Sequence, residues 1–276
     1  MLGVTGCVAS EPVAEEGVFS VITYNVQGLP DALTDSARPT LDRMQDIAPL
    51  LDAYDVVGIQ EDFDEDWHAA LVADASHDDE FWTDEILDGR VYSAGLAVLS
   101  RLSPEPESTL YRESFYSSCH GTLDGSGDCL ASKGFQVVTL TLAGGLVVDI
   151  VNTHHEAGGG EEDIAARAVQ VEELIADLNG SHAVVFMGDT NLDSEDVDDA
   201  AALDRYAAAS LQDVCGLVGC AEDDHIDRIF IRSSPTLTLD AVSWERPTQF
   251  VGDDGEPLSD HPAIAAEISW TASPER

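Results

Sequence analysis

Lysine is almost absent from this sequence: of 276 residues only Lys133 is a lysine, and 12 basic side chains face 54 acidic ones, for a formal net charge of -42. So negative a chain repels a polyanion and stays soluble in high salt, which disfavours a nucleic-acid substrate. Acidic runs such as Asp62-Phe63-Asp64-Glu65-Asp66 and Glu195-Asp196-Val197-Asp198-Asp199 carry much of it. No apolar run reaches the ~18 residues of a membrane-spanning helix, so no transmembrane span is expected. No Cys-x2-Cys or His-x3-His spacing occurs either, which places a zinc site below disulfides as the reading of the five cysteines. Cys119 with Cys129 and Cys215 with Cys220 are close pairs that suggest two local disulfides and an oxidising compartment, although four cysteines permit three connectivities.

What is present is a foldable body. Hydrophobic content of 44% without a long polar tract argues for one large globular domain, and a monomer is expected. Residues 1–17 read differently, as a small, acidic, proline-containing leader or tether. Within it Val4-Thr5-Gly6-Cys7 is similar to a bacterial lipobox, making Cys7 a candidate lipid anchor. The domain is expected over 18–276.

One polar stretch organises that domain. Ala183-Val184-Val185-Phe186-Met187 reads as a buried strand stopping at Gly188, after which Asp189, Asn191 and Asp193 crowd a turn. A carboxylate beside a carboxamide offers a hard oxygen ligand and a neutral hydrogen-bond donor, although an Asx-rich turn alone would account for it. Other strands end alike. Residues 18–26, rich in β-formers, close on Asn25 before Gly28. Leu41, Met44, Ile47, Ala48 and Leu51 recur at helical spacing after Pro39, and 55–61 is a second buried strand that terminates in Glu61.

Further along, a helix is expected over 64–75, residues 77–92 stay unassigned, and 95–101 is a strand. A Pro/Ser-rich link leads to the 119–129 loop. Lys133 follows at a loop-to-strand corner, where its ammonium can meet a phosphate oxygen. Gly144-Gly145 turns strand 135–142 into strand 146–151, which runs on to His154 and His155. Alternation sends those two side chains to opposite sides, so at most one faces a site. Helices over 161–178 and 197–209, a Cys215/Cys220 loop, the strand 225–231 with Asp227, the loop bearing Asp260 and His261, and the strand 263–270 complete the chain. Such interleaving predicts an α/β domain with mixed sheets and outer helices.

Asn25, Glu61, His154, Asp189 with Asn191, Asp227, and Asp260 with His261 thus stand at six strand ends. Each alone is a loop residue; together they hold what metal-assisted phosphoester hydrolysis needs. Carboxylates hold a hard cation, an imidazole activates water, and amides with a second imidazole stabilise developing charge.

The motifs Thr23-Tyr24-Asn25-Val26-Gln27-Gly28, Gly58-Ile59-Gln60-Glu61, Asn152-Thr153-His154, Gly188-Asp189-Thr190-Asn191, Ile226-Asp227-Arg228-Ile229 and Ser259-Asp260-His261-Pro262 resemble, in order, those of the endonuclease/exonuclease/phosphatase superfamily. That superfamily includes DNase I-like nucleases, inositol phosphatases and neutral sphingomyelinases. The resemblance implies a DNase I-like four-layer α/β sandwich, two mixed β-sheets flanked by helices, with the site at one edge. It also implies roles. Glu61, supported by Asn25 and with Asp260 as a further metal contact, would bind Mg2+ or another divalent cation such as Mn2+. Asp189 and Asn191 would orient water and phosphate, His261 would take the water's proton, Asp227 would orient His261, and His154 would stabilise the phosphate or assist the leaving group.

Asp128-Cys129-Leu130-Ala131-Ser132-Lys133-Gly134 and Asn152-Thr153-His154-His155-Glu156 further resemble stretches of bacterial secreted sphingomyelinases, with His155 where leucine is usual and Lys133 a phosphate contact. No clear counterpart of their membrane-inserting hairpin is seen; Trp244 and Phe250 flank a loop there. The expectation is a metal-dependent phosphodiesterase acting on a phospholipid head group, exported and extracellular or membrane-tethered as a lipoprotein. A nuclease, an inositol or sugar-phosphate phosphatase, and a non-catalytic binding module of the same fold are the alternatives.

Overall fold

The computed structural model describes residues 16–34, 36–73, 75–102, 111–122, 127–178, 180–221 and 225–273. The proposed anchor Cys7 lies outside them. In chain order the elements are β1 (Glu16–Gly28), α1 (Thr40–Leu51), β2 (Val56–Asp62), α2 (Glu65–Val72), β3 (Asp79–Trp82), β4 (Ala97–Ser100), β5 (Tyr111–Phe115), β6 (Gly134–Thr141), β7 (Val147–His154), α3 (Glu161–Asp177), β8 (Ala183–Asp189), α4 (Val197–Ala208), β9 (Gln212–Asp213), α5 (Val214–Val218), β10 (Asp227–Arg232), β11 (Leu237–Glu245) and β12 (Ile264–Ala272).

Two six-stranded mixed sheets result, ordered β11-β12-β1-β2-β4-β3 and β5-β6-β7-β8-β10-β9. Strand alternation builds the layers. Val21, Val56 and Val98 of the first sheet meet Ile150, Val185 and Met187 of the second in the central core. Their neighbours Ile22, Val57 and Leu99 point outward onto Met44, Ile47 and Leu51 of α1 and Leu71 of α2. On the other side Val184 and Phe186 pack against Val171 and Leu174 of α3 and Tyr206 of α4. This is the four-layer sandwich expected, and each buried face draws on the hydrophobic effect at about 25 cal/mol per Å2 of apolar surface removed from water.

Side-chain caps start α2 and α4 among others: Asp64 accepts from the backbone of Asp66 and Trp67, and Asp196 from that of Asp198 and Asp199. Cys119 joins Cys129 and Cys215 joins Cys220. Several expectations need correction. The Cys215/Cys220 segment holds the short helix α5 rather than only a loop, started by Asp213 accepting from the Cys215 amide. The unassigned 77–92 stretch contributes β3, and the strands β5, β9 and β11 were not anticipated. Trp244 lies within β11 opposite Ala266, and Phe250 is buried edge-to-face on Tyr24 at 4.9 Å, so both are packing residues.

Candidate active site

The parallel pairs β1–β2 and β7–β8 end at the same rim of the sandwich. Register puts His154 opposite Asp189 and Asp189 opposite Asp227, so three site residues stand in one row across β7, β8 and β10 with their side chains on one face. Glycine permits this row. A Cβ on Gly188 would lie 2.1 Å from the Thr153 carbonyl oxygen, so only glycine lets β8 approach β7 there. Among the described residues the non-glycine positive φ angles belong to Gln27, Glu61, Asn191 and Ser210, and the first three lie at this rim. Backbone held in that region is strained and clusters where a side chain must be aimed.

Beneath the rim a buried polar layer separates site from core. Gln60 Nε2 donates to Asn152 Oδ1 at 2.6 Å, and Asn152 Nδ2 donates to the carbonyls of Ile59 and Ala97, tying one sheet to the other. Above it, Asn25 Nδ2 donates to both Glu61 Oε1 and Asp189 Oδ2, each at 3.0 Å. The amide therefore bridges two carboxylates from opposite sheets. Its oxygen accepts from the Gln27 amide at 3.0 Å, so Asn25 orients Glu61 through its nitrogen.

His261 reaches in from the 258–263 loop, with Nδ1 2.9 Å from Asp227 Oδ2 and Nε2 3.7 Å from Asp189 Oδ2. His154 Nε2 lies 3.4 Å from that same Asp189 oxygen and 3.2 Å from Lys133 Nζ. Asn191 donates its backbone N–H to Asp189 Oδ1 and its side-chain amide to the His155 carbonyl. Thr190 bonds the Ile226 carbonyl, and Arg228 bonds the Leu192 carbonyl, which fixes this turn. His155 points the other way, as alternation requires, with Nε2 2.5 Å from the Tyr206 hydroxyl inside the outer core.

Lys133 is buried, and all three ammonium protons have acceptors: Asp128 Oδ1 at 2.8 Å, the His155 carbonyl at 2.6 Å and His154 Nε2. A phosphate oxygen would have to take the place of the longest of these. Asp128 itself was not singled out by sequence; a buried ammonium requires an anion, and Asp128 supplies it. Asp260 stands apart from this network, exposed beside Ser259.

Burial and neighbouring charge set the titration of the cluster. Burial raises Glu61, against the hydrogen bond from Asn25 and the charge of Lys133. Burial and the adjacent Asp227 likewise raise Asp189. Burial would lower His261, but its bond to Asp227 and the charges of Asp189, Asp227 and Asp260 outweigh that and push it up to about 10. Burial, then Lys133 and His261, hold His154 well below the usual imidazole range. Strongly displaced groups of opposite direction in one place mark a candidate active site.

The donor set suits a hard divalent cation. Asp189, Asp227 and His261 offer one ligand atom each, all within 4.8 Å of one another. Asp227 Oδ1 is buried without a hydrogen-bond partner among the described residues, and Glu61 is a half-buried carboxylate whose charge asks for a counter-ion. A cleft of about 340 Å3 adjoins the cluster, lined by Glu61, Lys133 and His154 together with Leu29, Phe63 and Tyr92. The larger groove between α3 and α4, about 690 Å3, is lined by alanines, aliphatic and charged side chains and holds none of these groups, so size alone does not mark the site.

Known proteins share the family and the fold. The family model described as Endonuclease/Exonuclease/phosphatase family matches residues 22–261. Curated proteins named sphingomyelinase from Mycobacterium bovis and Mycobacterium tuberculosis are each 33% identical over 276 aligned positions, covering 90% of this chain and 52% of theirs. The chain thus spans about half the length of those relatives. Among solved structures, sphingomyelinase C from Streptomyces griseocarneus superposes with a TM-score of 0.64 at 19% identity, over 91% of this chain and 99% of that one. A Staphylococcus aureus beta toxin variant with bound magnesium ions does so with a TM-score of 0.64 at 16% identity, over 91% and 99%.

Proposed function

This chain belongs to the endonuclease/exonuclease/phosphatase family, and from that premise we propose that it is a divalent-metal-dependent phosphodiesterase hydrolysing a phospholipid head group of the sphingomyelin kind. The observation that carries the reading is the convergence of Asp189, Asp227 and His261, joined through the Asn25 amide to Glu61. Glu61 would hold the cation, with Asn25 orienting it and Asp260 adding negative charge nearby. When bound, Mg2+ or Mn2+ would supply positive charge that offsets the phosphate's and would favour the neutral form of His261.

The chain's own groups do the rest. His261 Nε2 takes the proton of the attacking water, and Asp227, bonded to Nδ1, fixes the ring's tautomer and stabilises the imidazolium that forms. Asp189 and Asn191 hold the water and the phosphate in line. His154 is kept neutral by burial and by Lys133; once a phosphate oxygen takes its place as an acceptor of Lys133, Nε2 is free to give that oxygen or the leaving group a hydrogen bond rather than a charge. Lys133 supplies the fixed positive charge lining the cleft.

The lipid assignment draws support from the likeness to sphingomyelinases and from charge. A surface of -42 opposes the approach of DNA, whereas a zwitterionic head group meets no such barrier. Two disulfides fit an exported protein, extracellular or tethered through Cys7. The deciding assay offers sphingomyelin, phosphatidylcholine, inositol phosphates and duplex DNA with Mg2+ at moderate salt. Release of phosphocholine is expected; preferred turnover of DNA or of inositol phosphates would replace the lipid reading, and tight binding without turnover would favour a binding module.

A further inference from the structure

Arg43, on α1, has no solvent-exposed surface, yet no carboxylate pairs with it among the described residues. Its guanidinium binds neutral oxygens instead. Nη1 donates to the carbonyls of Val26 at 3.0 Å and Leu258 at 2.8 Å, and Nη2 donates to the Gln27 carbonyl at 2.8 Å and to Thr40 Oγ1 at 3.2 Å. Burying a cation without a carboxylate in direct contact is costly even with the charges of Asp260, Asp31 and Glu61 in the surroundings, and an apolar side chain of similar volume would fill the same space without that cost. The fork geometry must therefore serve what it holds.

It holds two segments that are far apart in sequence. At the end of β1 the register with β2 shifts between Asn25 and Gly28, and Gln27 takes φ 50°, so the Val26 and Gln27 carbonyls accept from Arg43 where the ladder is irregular. Leu258 begins the loop that carries His261. A second pin lies beside the first: Ser259 Oγ donates to the Asn25 carbonyl at 2.6 Å and accepts from the His261 amide at 3.2 Å. One end of this assembly carries Asn25, which aims Glu61; the other carries His261.

We propose that Arg43 is a positioning residue which, with Ser259, pins the irregular end of β1 to the 258–261 loop and so sets where His261 stands relative to Asn25 and Glu61. Lysine in its place keeps the charge but has a single nitrogen, which cannot span both prongs of the fork. The catalytic consequence rests on the phosphodiesterase reading; the pinning itself does not.

The test uses Arg43→Lys, Ser259→Ala and the double variant of the full chain, with two readouts. The first needs no activity: the ring 15N and 13C chemical shifts of His261 at fixed pH. They should move in both single variants while the methyl signals of the core stay put. The second is steady-state turnover of sphingomyelin, where misplacing the base should lower kcat by up to about 10²-fold with KM held within about twofold, and the double variant should lose less than the product of the singles. Unmoved His261 resonances in folded Arg43→Lys, or a lower melting temperature with wild-type kcat, would overturn the proposal. Should Arg43→Lys fail to fold, Ser259→Ala decides by the same resonances. A wild-type protein that does not turn over sphingomyelin would sink the functional reading alone, since the ring shifts still report on the pin.

Discussion

Asp227 Oδ2 lies 2.9 Å from His261 Nδ1, which turns the ring's other nitrogen toward Asp189. General-base help is worth about 10²–10⁴ in rate, so His261→Ala is expected to lose at least that much of kcat while remaining folded. Asp227→Asn should lose less, because the amide still holds the ring but no longer stabilises its charge. Matched, full activity in both variants would remove His261 from the chemistry.

Lys133 and Asp128 form a buried ion pair, with side chains 4% and 11% exposed. Removing one partner of such a pair strands the other charge and typically costs about 3–5 kcal/mol. Lys133→Met should therefore destabilise the protein strongly in denaturant unfolding, and adding Asp128→Asn should return much of that loss while leaving turnover low. A double variant no more stable than the single would mean that Asp128 draws its support elsewhere, including from the Ala157 amide that donates to it.

How much of this was legible in the sequence differs from element to element. Asn25, Glu61, His154 and Asp189 could be found because each lies at the close of a short buried run, and a strand that stops at a polar residue leaves a strong pattern, whereas Asp227 opens β10 and was legible only through its motif. The opposite fates of His154 and His155 followed from strand alternation alone. The edge strands β5 and β11 were missed for a physical reason: half-buried edges mix polar and apolar side chains, and in β11 the alternation of Leu237 and Leu239 is broken by a register shift between Ala241 and Ser243. Arg43 and Asp128 gave no sign, since a charge on an amphipathic helix or in a loop ordinarily faces water. Only tertiary structure shows that these two do not.

Acid should unfold the protein partly through His155. Burial, then the charges of Lys133 and Arg167, lower its pKa to about 3, against about 6.5 in an unfolded chain. Between those values the unfolded state binds the proton and the folded state does not, so the stability this group contributes is complete above pH ~6.5 and is lost as pH falls toward about 3. His155→Leu should flatten the pH dependence of unfolding free energy in that window by as much as about 1.4 kcal/mol per pH unit, although the Tyr206 hydroxyl loses its partner. An unchanged slope would show that His155 is protonated alike in both states.

Salt should stabilise the fold. A charge of -42 makes the compact state repel itself, and the Debye length falls from about 10 Å at 0.1 M to about 3 Å at 1 M. The melting temperature is expected to climb between low and molar NaCl. A flat or falling curve would mean that local pairing already cancels the net charge.

The central claim, hydrolysis assisted by a divalent cation at this cluster, is tested most directly by one measurement: phosphocholine release from sphingomyelin with Mg2+, after EDTA, and after Mg2+ is restored, in the wild type and in Glu61→Gln. Turnover should vanish with chelator and return with the metal, and Glu61→Gln should need far more Mg2+ for any activity. Turnover that persists in EDTA, or a Glu61→Gln variant with the wild-type Mg2+ requirement, would contradict the account.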